Sequence, residues 1–295
     1  MKALYSLWRA AGATALVLLL FVVAGCGGGG DGGGGAVLPL ASSGTGAGTG
    51  TPAQQPSGGR VVSQSIRSAK NNTTYDITIF IPASYDASSE RYPTIYALDG
   101  DAVFNLSQTR FNNFKSILEK RGTKAILVGI GGTARRQEDY NLPGAIAYHD
   151  FLTLELIPFV ESQFRADPKT RMLSGLSTSG NLPATALFLE GGKELVFSHF
   201  LSSEAAFWQQ REDLEKLEQK MFDTLAGKPL PATLILAQCS DERRCNTVQV
   251  HAMYTRMAAR NYVDLKLIET YFADYGHADM DLPAFEDAIS RILGP

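Results

Sequence analysis

A cluster of small residues from Gly175 to Ser179 follows a short apolar run and precedes a helical pattern. Its letters, GLSTS, differ by one residue from G-x-S-x-G, which places a nucleophilic serine on a sharp strand-to-helix turn. Ser179 stands where the last glycine is expected, and serine is the next larger choice after glycine or alanine. We therefore predict that Ser177 is an intact nucleophile. The alternatives are an ordinary loop, or a nucleophile at Ser174 or Ser179.

A nucleophilic serine needs a base that accepts its proton, and the chain has four histidines. His277 follows the strand-like run over 264–271 and precedes the last helical pattern. It therefore falls at the carboxyl end of a strand, where the ligand crevice of a parallel sheet lies. His149 and His251 fall within helical patterns, and His199 falls inside a strand. His277 is the predicted base.

The base needs a carboxylate that fixes its tautomer. Asp241 and Glu242 come directly after the strand-like run over 232–239, so one of the two is expected to be the acid. The order Ser177, acid, His277 is that of the α/β-hydrolases and differs from the orders in chymotrypsin and subtilisin. Together these residues predict ester hydrolysis through a serine acyl-enzyme, with no metal or organic cofactor.

Strand-like and helical patterns alternate from residue 60 onward. This alternation predicts one α/β domain with a mostly parallel central sheet and helices on both faces. Strands are expected over 75–82, 92–100, 124–132, 196–203, 232–239 and 264–271, and in the run before Ser177. Helices are expected over 110–121, 145–164, 211–226, 247–259 and 282–293, and after Ser177. In the second of these helices, one face is expected to meet the core: Tyr148, Leu152, Leu156 and Phe159.

The first 59 residues have a different composition from the rest of the chain. Lys2 and Arg9 accompany an apolar run over 11–24, which is short for a bilayer span and typical of an export signal. The run ends in VAGC, which resembles a bacterial lipobox with cleavage before Cys26. The Gly-rich stretch that follows predicts a flexible tether. The predicted boundaries are 1–25 for the lipoprotein signal peptide, 26–59 for the tether and 60–295 for the α/β-hydrolase domain.

An exported lipoprotein would contact the lipid bilayer through the anchor on Cys26. The residue after that cysteine is Gly27 rather than an aspartate. This resembles lipoproteins of an outer membrane, which face the periplasm or the cell surface. A plain signal peptide or an uncleaved anchor is the alternative. The formal net charge of -3 provides no basic face for nucleic acid. The sequence carries no signal of oligomeric state.

With Cys26 assigned to lipid, Cys239 and Cys245 remain, in a compartment that permits disulfides. Their spacing predicts a disulfide that closes the loop with the two candidate acids. The alternatives are two free thiols or a metal site with His251, although the sequence nearby offers no fourth ligand.

Four further stretches of the chain are YPTIYALDGD, VGIGGTARRQEDYNLP, FLTLELIPFVESQFRADPKTRMLSGLSTSG and FSHFLSSEAAFW. They resemble the putative esterase family of α/β-hydrolases, which includes esterase D, feruloyl esterases, siderophore esterases and mycolyltransferases. Arg136, Asp139 and Tyr140 in the second stretch match the family pattern. The resemblance runs from about residue 62 to residue 293. Two departures are Ser179, in place of the first glycine of G-x-S-x-G-G, and Glu204 with Ala205, in place of Pro and Ser in S-P-S-x-W-W.

The resemblance implies a small-molecule ester as the substrate. It also implies an oxyanion hole formed by the backbone N–H groups of Thr178 and Asp101. The acid of the family lies three residues after a glycine. Cys239 takes the place of that glycine, which points to Glu242, with Asp241 as the fallback.

Two aromatic residues, Phe207 and Trp208, follow the strand that comes after the elbow helix. We predict that they line a substrate pocket, with a place in the core as the alternative. Two other functions stay open beside the esterase: an acyltransferase on the same fold, and a binding lipoprotein without turnover.

Overall fold

The computed structural model describes residues 58–241 and 243–294. The predicted signal peptide, the lipidation site Cys26, nearly all of the predicted tether, and Glu242 lie outside the described residues. Across the two described stretches, no helix combines the length and the apolar character that a membrane crossing requires.

One eight-stranded sheet forms the centre of the domain, in the order β1-β2-β4-β3-β5-β6-β7-β8. The strand pairs from β4 to β8 are parallel, and β2 pairs antiparallel with both β1 and β4. The predicted α/β fold with a mostly parallel sheet is therefore confirmed. The strands are β1 (Arg60–Arg67), β2 (Thr74–Ile81), β3 (Tyr92–Ala97), β4 (Ile126–Ile130), β5 (Ala166–Leu176), β6 (His199–Ser203), β7 (Thr233–Cys239) and β8 (Lys266–Phe272).

Helices cover both faces of the sheet. Because successive residues of a strand point to opposite faces, a strand covered on both faces contributes to two separate apolar cores. On β7, Leu234 and Leu236 belong to the larger apolar core, whereas Ile235 belongs to the smaller one. Helices α2 to α7 contribute to the larger core, and α1 and α8 to the smaller. The helices are α1 (Arg110–Arg121), α2 (Arg136–Tyr140), α3 (Gly144–Phe151), α4 (Ile157–Gln163), α5 (Asn181–Glu190), α6 (Arg211–Leu225), α7 (Thr247–Arg260) and α8 (Asp281–Leu293).

The helix predicted over 145–164 contains a π-helical turn at Leu152–Leu156, which joins α3 to α4. Three of its four predicted core residues are buried, but Phe159 is only partly buried and Val160 is fully buried. A π-helical turn holds more residues than an α-helical turn. The buried face therefore moves on by one residue after the turn.

A buried ion-pair cluster joins α6 to α7 around Glu218, which is fully buried. Its carboxylate accepts hydrogen bonds from Arg256 at 2.6 Å and Arg260 at 3.1 Å, and Tyr262 also donates to it. Burial raises the pKa of this carboxyl, but the hydrogen bonds from Arg260, Tyr262 and Arg256 outweigh it and hold the pKa below its usual value. The charged form is therefore favoured in the folded protein.

Glu218→Gln is expected to lower the free energy of unfolding at pH 7 by about 2 to 3 kcal/mol, because it leaves two guanidiniums without their counter-charge. Since the pKa of Glu218 is lowered by folding, this contribution is lost as pH falls below about 4. Urea unfolding at pH 7 and at acidic pH measures both effects. Glu212→Gln, on the exposed side of α6, is the matched control. Equal losses in the two variants would contradict the expectation.

Candidate active site

Ser177 lies on the turn between β5 and α5, where its φ of 61° falls in the left-handed region. A residue with a Cβ is strained there, and such strain is common at active sites. A Cβ on Gly175 would lie 2.0 Å from the carbonyl oxygen of Ser179, and one on Gly180 would lie 2.6 Å from that of Ser203. Only glycine fits at these two positions. The turn therefore has the geometry of a nucleophile elbow.

Ser179 fits at the position where the sequence pattern expects glycine. Its side chain is buried, and its Oγ accepts the Leu176 N–H at 2.9 Å and donates to the Leu176 carbonyl oxygen at 3.0 Å. The hydroxyl thus satisfies both backbone groups of Leu176, the residue before Ser177. Gly180, one position later, supplies the close approach to the end of β6.

Gly175→Ala is expected to destabilise the domain by about 3 kcal/mol, because the new methyl group would overlap the backbone of the elbow. Gly122→Ala is the comparison, since Gly122 has a φ of 64° but has open space around its Cβ position. That second change adds only the cost of a left-handed residue, about 1 kcal/mol. Chemical denaturation of both variants measures the difference. A smaller loss for Gly175→Ala than for Gly122→Ala would contradict this view of the elbow.

His277 lies in the loop between β8 and α8, and 34% of its side chain is exposed. Two contacts fix this loop. Asn105 Nδ2 donates to the Ala278 carbonyl oxygen at 2.9 Å. Arg110 Nε donates at 2.8 Å to Asp281, the first residue of α8, and both side chains are buried. The loop is thereby held against the end of β3.

The Nδ1 atom of His277 lies 2.8 Å from the Glu204 Oε2 atom. Glu204 follows β6 and is fully buried. A buried carboxylate needs hydrogen-bond donors in place of water. Here its two oxygens also accept the backbone N–H groups of Cys239 and Asn246, each at 2.8 Å. The Glu204 side chain is therefore fixed in the orientation that meets the imidazole.

The turn that carries Glu204 is tied to Ser177. The Ser177 N–H donates to the Ser203 carbonyl oxygen at 2.9 Å, and the Ala206 N–H donates to the Ser177 carbonyl oxygen at 3.0 Å. Among the described residues, the Ser177 hydroxyl makes no hydrogen bond with His277. Catalytic hydrogen bonds often tighten only when substrate binds.

His277 thus contacts a different carboxylate from the two that the sequence favoured. The Asp241 Oδ1 atom accepts the Arg243 N–H at 3.1 Å, and its carboxylate lies 3.8 to 3.9 Å from two arginine side chains rather than beside the imidazole. Glu242 lies outside the described residues. The prediction assumed that the acid follows β7, whereas Glu204 follows β6. One signal was available: Glu204 is the single charged residue in the run over 200–210.

The two backbone N–H groups predicted for the oxyanion hole are those of Thr178 and Asp101. Within the described part of the chain, neither donates a hydrogen bond. The Asp101 carboxylate accepts the Gly132 N–H at 3.2 Å and the Thr133 hydroxyl at 2.6 Å. Its charge is therefore engaged by the loop after β4, and the oxyanion role of the two amides stays a prediction.

A buried ion pair connects the turn after β3 to the nucleophile turn. Arg136 donates to the Asp99 Oδ2 atom at 2.8 Å and to the Leu176 carbonyl oxygen at 3.1 Å. Burial raises the pKa of the Asp99 carboxyl, and the Arg136 guanidinium opposes that rise. Arg136 was identified through the family resemblance, and the structure places it between the two turns.

The two predicted pocket aromatics lie in different surroundings. Phe207 is buried in the larger core and also lines a cavity of about 620 Å³ beside α7. Trp208 is 58% exposed. The next residue, Gln209, donates to the Thr178 hydroxyl at 3.2 Å, so this segment lies against the elbow.

Cys239 and Cys245 are joined by a disulfide, with their Cα atoms 5.9 Å apart. Their sulfur atoms are therefore not available as metal ligands. His251, the third member of the alternative metal site, lies 2.8 Å from Glu269 through its Nδ1 atom. The disulfide closes the loop that follows β7.

The strand order and the serine turn at the end of β5 define an α/β-hydrolase. Residues 68–294 match the family described as "Putative esterase", so the chain belongs to this family and is an esterase, a carboxylic ester hydrolase. A search of curated proteins found no match.

Several solved structures share the fold. An IroE-like serine hydrolase from Shewanella oneidensis has a TM-score of 0.67 at 22% identity, over 79% of this chain and 80% of its own. The siderophore hydrolase EstA from Aspergillus nidulans has a TM-score of 0.65 at 19% identity, over 78% and 93% of the two chains. A ferulic acid esterase has a TM-score of 0.57 at 19% identity, over 80% and 97%.

Proposed function

We propose that the protein hydrolyses carboxylic esters with Ser177 as nucleophile, His277 as base and Glu204 as the acid. The observation that carries this proposal is the 2.8 Å contact between His277 Nδ1 and the buried Glu204 carboxylate. This contact leaves Nε2 as the nitrogen that faces the reaction. The order of the three residues along the chain is that of the α/β-hydrolases.

In the first half of the reaction, His277 Nε2 takes the Ser177 proton as the oxygen attacks the acyl carbon. The N–H groups of Thr178 and Asp101 stabilise the oxyanion. The imidazolium then protonates the leaving alcohol. In the second half, His277 takes a proton from water and the resulting hydroxide attacks the acyl carbon. The bond from that carbon to the Ser177 oxygen then breaks, the carboxylic acid leaves, and the imidazolium returns a proton to Ser177. Glu204 stabilises the imidazolium in both halves.

The proposed substrate is a small-molecule ester. Similar structures include siderophore hydrolases and a ferulic acid esterase, and both names fit a site of this kind. Fold alone does not choose among such esters. Substrate selection therefore depends on the residues around the elbow, among them the exposed ring of Trp208.

The proposed location is a membrane surface after export, with the lipid anchor at Cys26. The charged start, the apolar run over 11–24 and the VAGC sequence support it. The Cys239–Cys245 disulfide agrees with an oxidising compartment. Radiolabelled palmitate incorporation that is lost in Cys26→Ala tests this assignment, and labelling that persists would refute it.

The test of the proposed chemistry is labelling with a fluorophosphonate, which reacts with activated serines. Tryptic mass spectrometry is expected to find the adduct on the peptide that contains Ser177, together with loss of p-nitrophenyl ester turnover. Protein unfolded in urea is the control, because activation of the serine requires the folded site. An adduct on another serine, or turnover without an adduct, would contradict the assignment.

A further inference from the structure

The chain from Cys239 to Asn246 supplies two of the three donors to the Glu204 carboxylate. Cys239 is the last residue of β7, and Asn246 directly precedes α7. Cys245, beside Asn246, is bonded back to Cys239. We propose that the disulfide and Asn246 are positioning elements, which hold Glu204 where it meets His277. This inference rests on the proposed function.

Asn246 holds Glu204 at two points. Its backbone N–H donates to Oε2 at 2.8 Å, and its side-chain Nδ2 donates to the Glu204 carbonyl oxygen at 2.7 Å. Oε2 is also the atom beside His277. A displacement of Asn246 therefore acts directly on the oxygen that orients the imidazole.

The disulfide fixes Asn246 relative to the sheet. Cys239 is buried at the end of β7, and its own N–H donates to Glu204 Oε1 at 2.8 Å. Hydrogen bonds also support the loop: the Arg244 and Cys245 N–H groups both donate to the Asp241 carbonyl oxygen at 2.9 Å, and the Thr247 hydroxyl, at the start of α7, donates to the Cys239 carbonyl oxygen at 2.6 Å. The disulfide joins the two donor ends covalently. Because a short loop gains the least chain-entropy stabilisation from cross-linking, its larger effect is expected on local geometry.

The experiment replaces both cysteines, as Cys239→Ala with Cys245→Ala, in the full chain. The kcat for a p-nitrophenyl ester is expected to fall on the order of 10- to 100-fold with little change in KM, as when a supporting residue around a catalytic group is lost. Arg243→Ala is the matched control in the same loop, since the Arg243 side chain is 95% exposed. No loss in the cysteine variant, or an equal loss in the control, would overturn the proposal.

A double-mutant cycle shows whether the disulfide acts through Glu204. In a Glu204→Gln background, removal of the disulfide is expected to cause no further loss of kcat, because the group that it positions is gone. The same fold loss in both backgrounds would overturn the proposal. If the cysteine variant does not fold, Asn246→Ala takes its place with the disulfide intact. It is expected to lower kcat in the wild-type background only, and unchanged kcat would overturn the proposal.

The tautomer of neutral His277 gives a readout that does not depend on activity. A carboxylate acceptor at Nδ1 places the proton on that nitrogen, and ¹⁵N chemical shifts of the ring report it. Without the disulfide, the Nε2–H tautomer is expected to increase. If the disulfide only stabilised the fold, its removal would lower the unfolding midpoint and leave the tautomer unchanged, and this result would overturn the proposal. If the wild type shows no Ser177-dependent turnover, the proposed function fails. The tautomer measurement alone then tests whether the disulfide holds Glu204 against His277.

Discussion

Ser177→Ala is expected to lower kcat for an activated ester by about a million-fold, the loss typical of a missing serine nucleophile. Alanine keeps a Cβ at the left-handed position, so the turn meets the same steric demand as before. It lacks only the oxygen that we propose forms the acyl-enzyme. Any residual rate would come from the oxyanion donors and from substrate binding. Stopped-flow assays of the wild type and assays of the variant over long times, both with p-nitrophenyl acetate, measure the two rates. Circular dichroism checks the fold.

Ser179→Ala is the matched control for this loss. Its hydroxyl is buried and engaged by both backbone groups of Leu176, so its removal is expected to cost about 1 to 2 kcal/mol of stability and to leave turnover in place. If Ser179→Ala abolished turnover while Ser177→Ala did not, the nucleophile would have to be reassigned.

Glu204→Gln is expected to lower kcat by about 10⁴-fold, the loss typical when the acid of a triad becomes an amide. The amide can present its NH₂ group to His277, which favours the tautomer with the proton on Nε2. That nitrogen then has no lone pair for the Ser177 proton. The amide also has no charge to stabilise the imidazolium. Steady-state kinetics measure the loss, and the unfolding midpoint shows whether the fold is kept.

Glu242→Gln and Asp241→Asn are the comparison, since they remove the two carboxylates that the sequence favoured. If either costs more activity than Glu204→Gln, the acid is not Glu204. The catalytic role would also be rejected if the activity lost in Glu204→Gln were explained by unfolded protein, so that the folded fraction kept the wild-type kcat.

Much of the fold follows from local patterns in the chain. Strands with both faces covered are continuous apolar runs, such as β4, and the sequence shows them directly. The first strand was not predicted, because β1 is an edge strand with mainly exposed residues. The π-helical turn at Leu152–Leu156 was also beyond prediction, since the apolar spacing on either side of it is that of an ordinary helix.

The residues of the candidate site, like the elements of the fold, could be predicted only in part. Ser177 and His277 carry local signals, because one lies in a pattern of small residues and the other directly after a strand. The contact of Glu204 with His277 joins residues 73 positions apart and depends on how the ends of β6 and β7 meet. No short pattern records such a contact. The family resemblance pointed to the loop after β7, whereas the described carboxylate that contacts His277 follows β6.

The donors from the loop after β7 to the Glu204 carboxylate are backbone N–H groups, those of Cys239 and Asn246. Every residue type except proline has this group. The position of the carboxylate therefore depends on the backbone path of this loop more than on the side chains along it. Evolution can change the residues over 240–244, including their charge, while the Glu204 carboxylate keeps these donors. The surface of this loop can thus change between related chains without moving the carboxylate that is proposed as the acid.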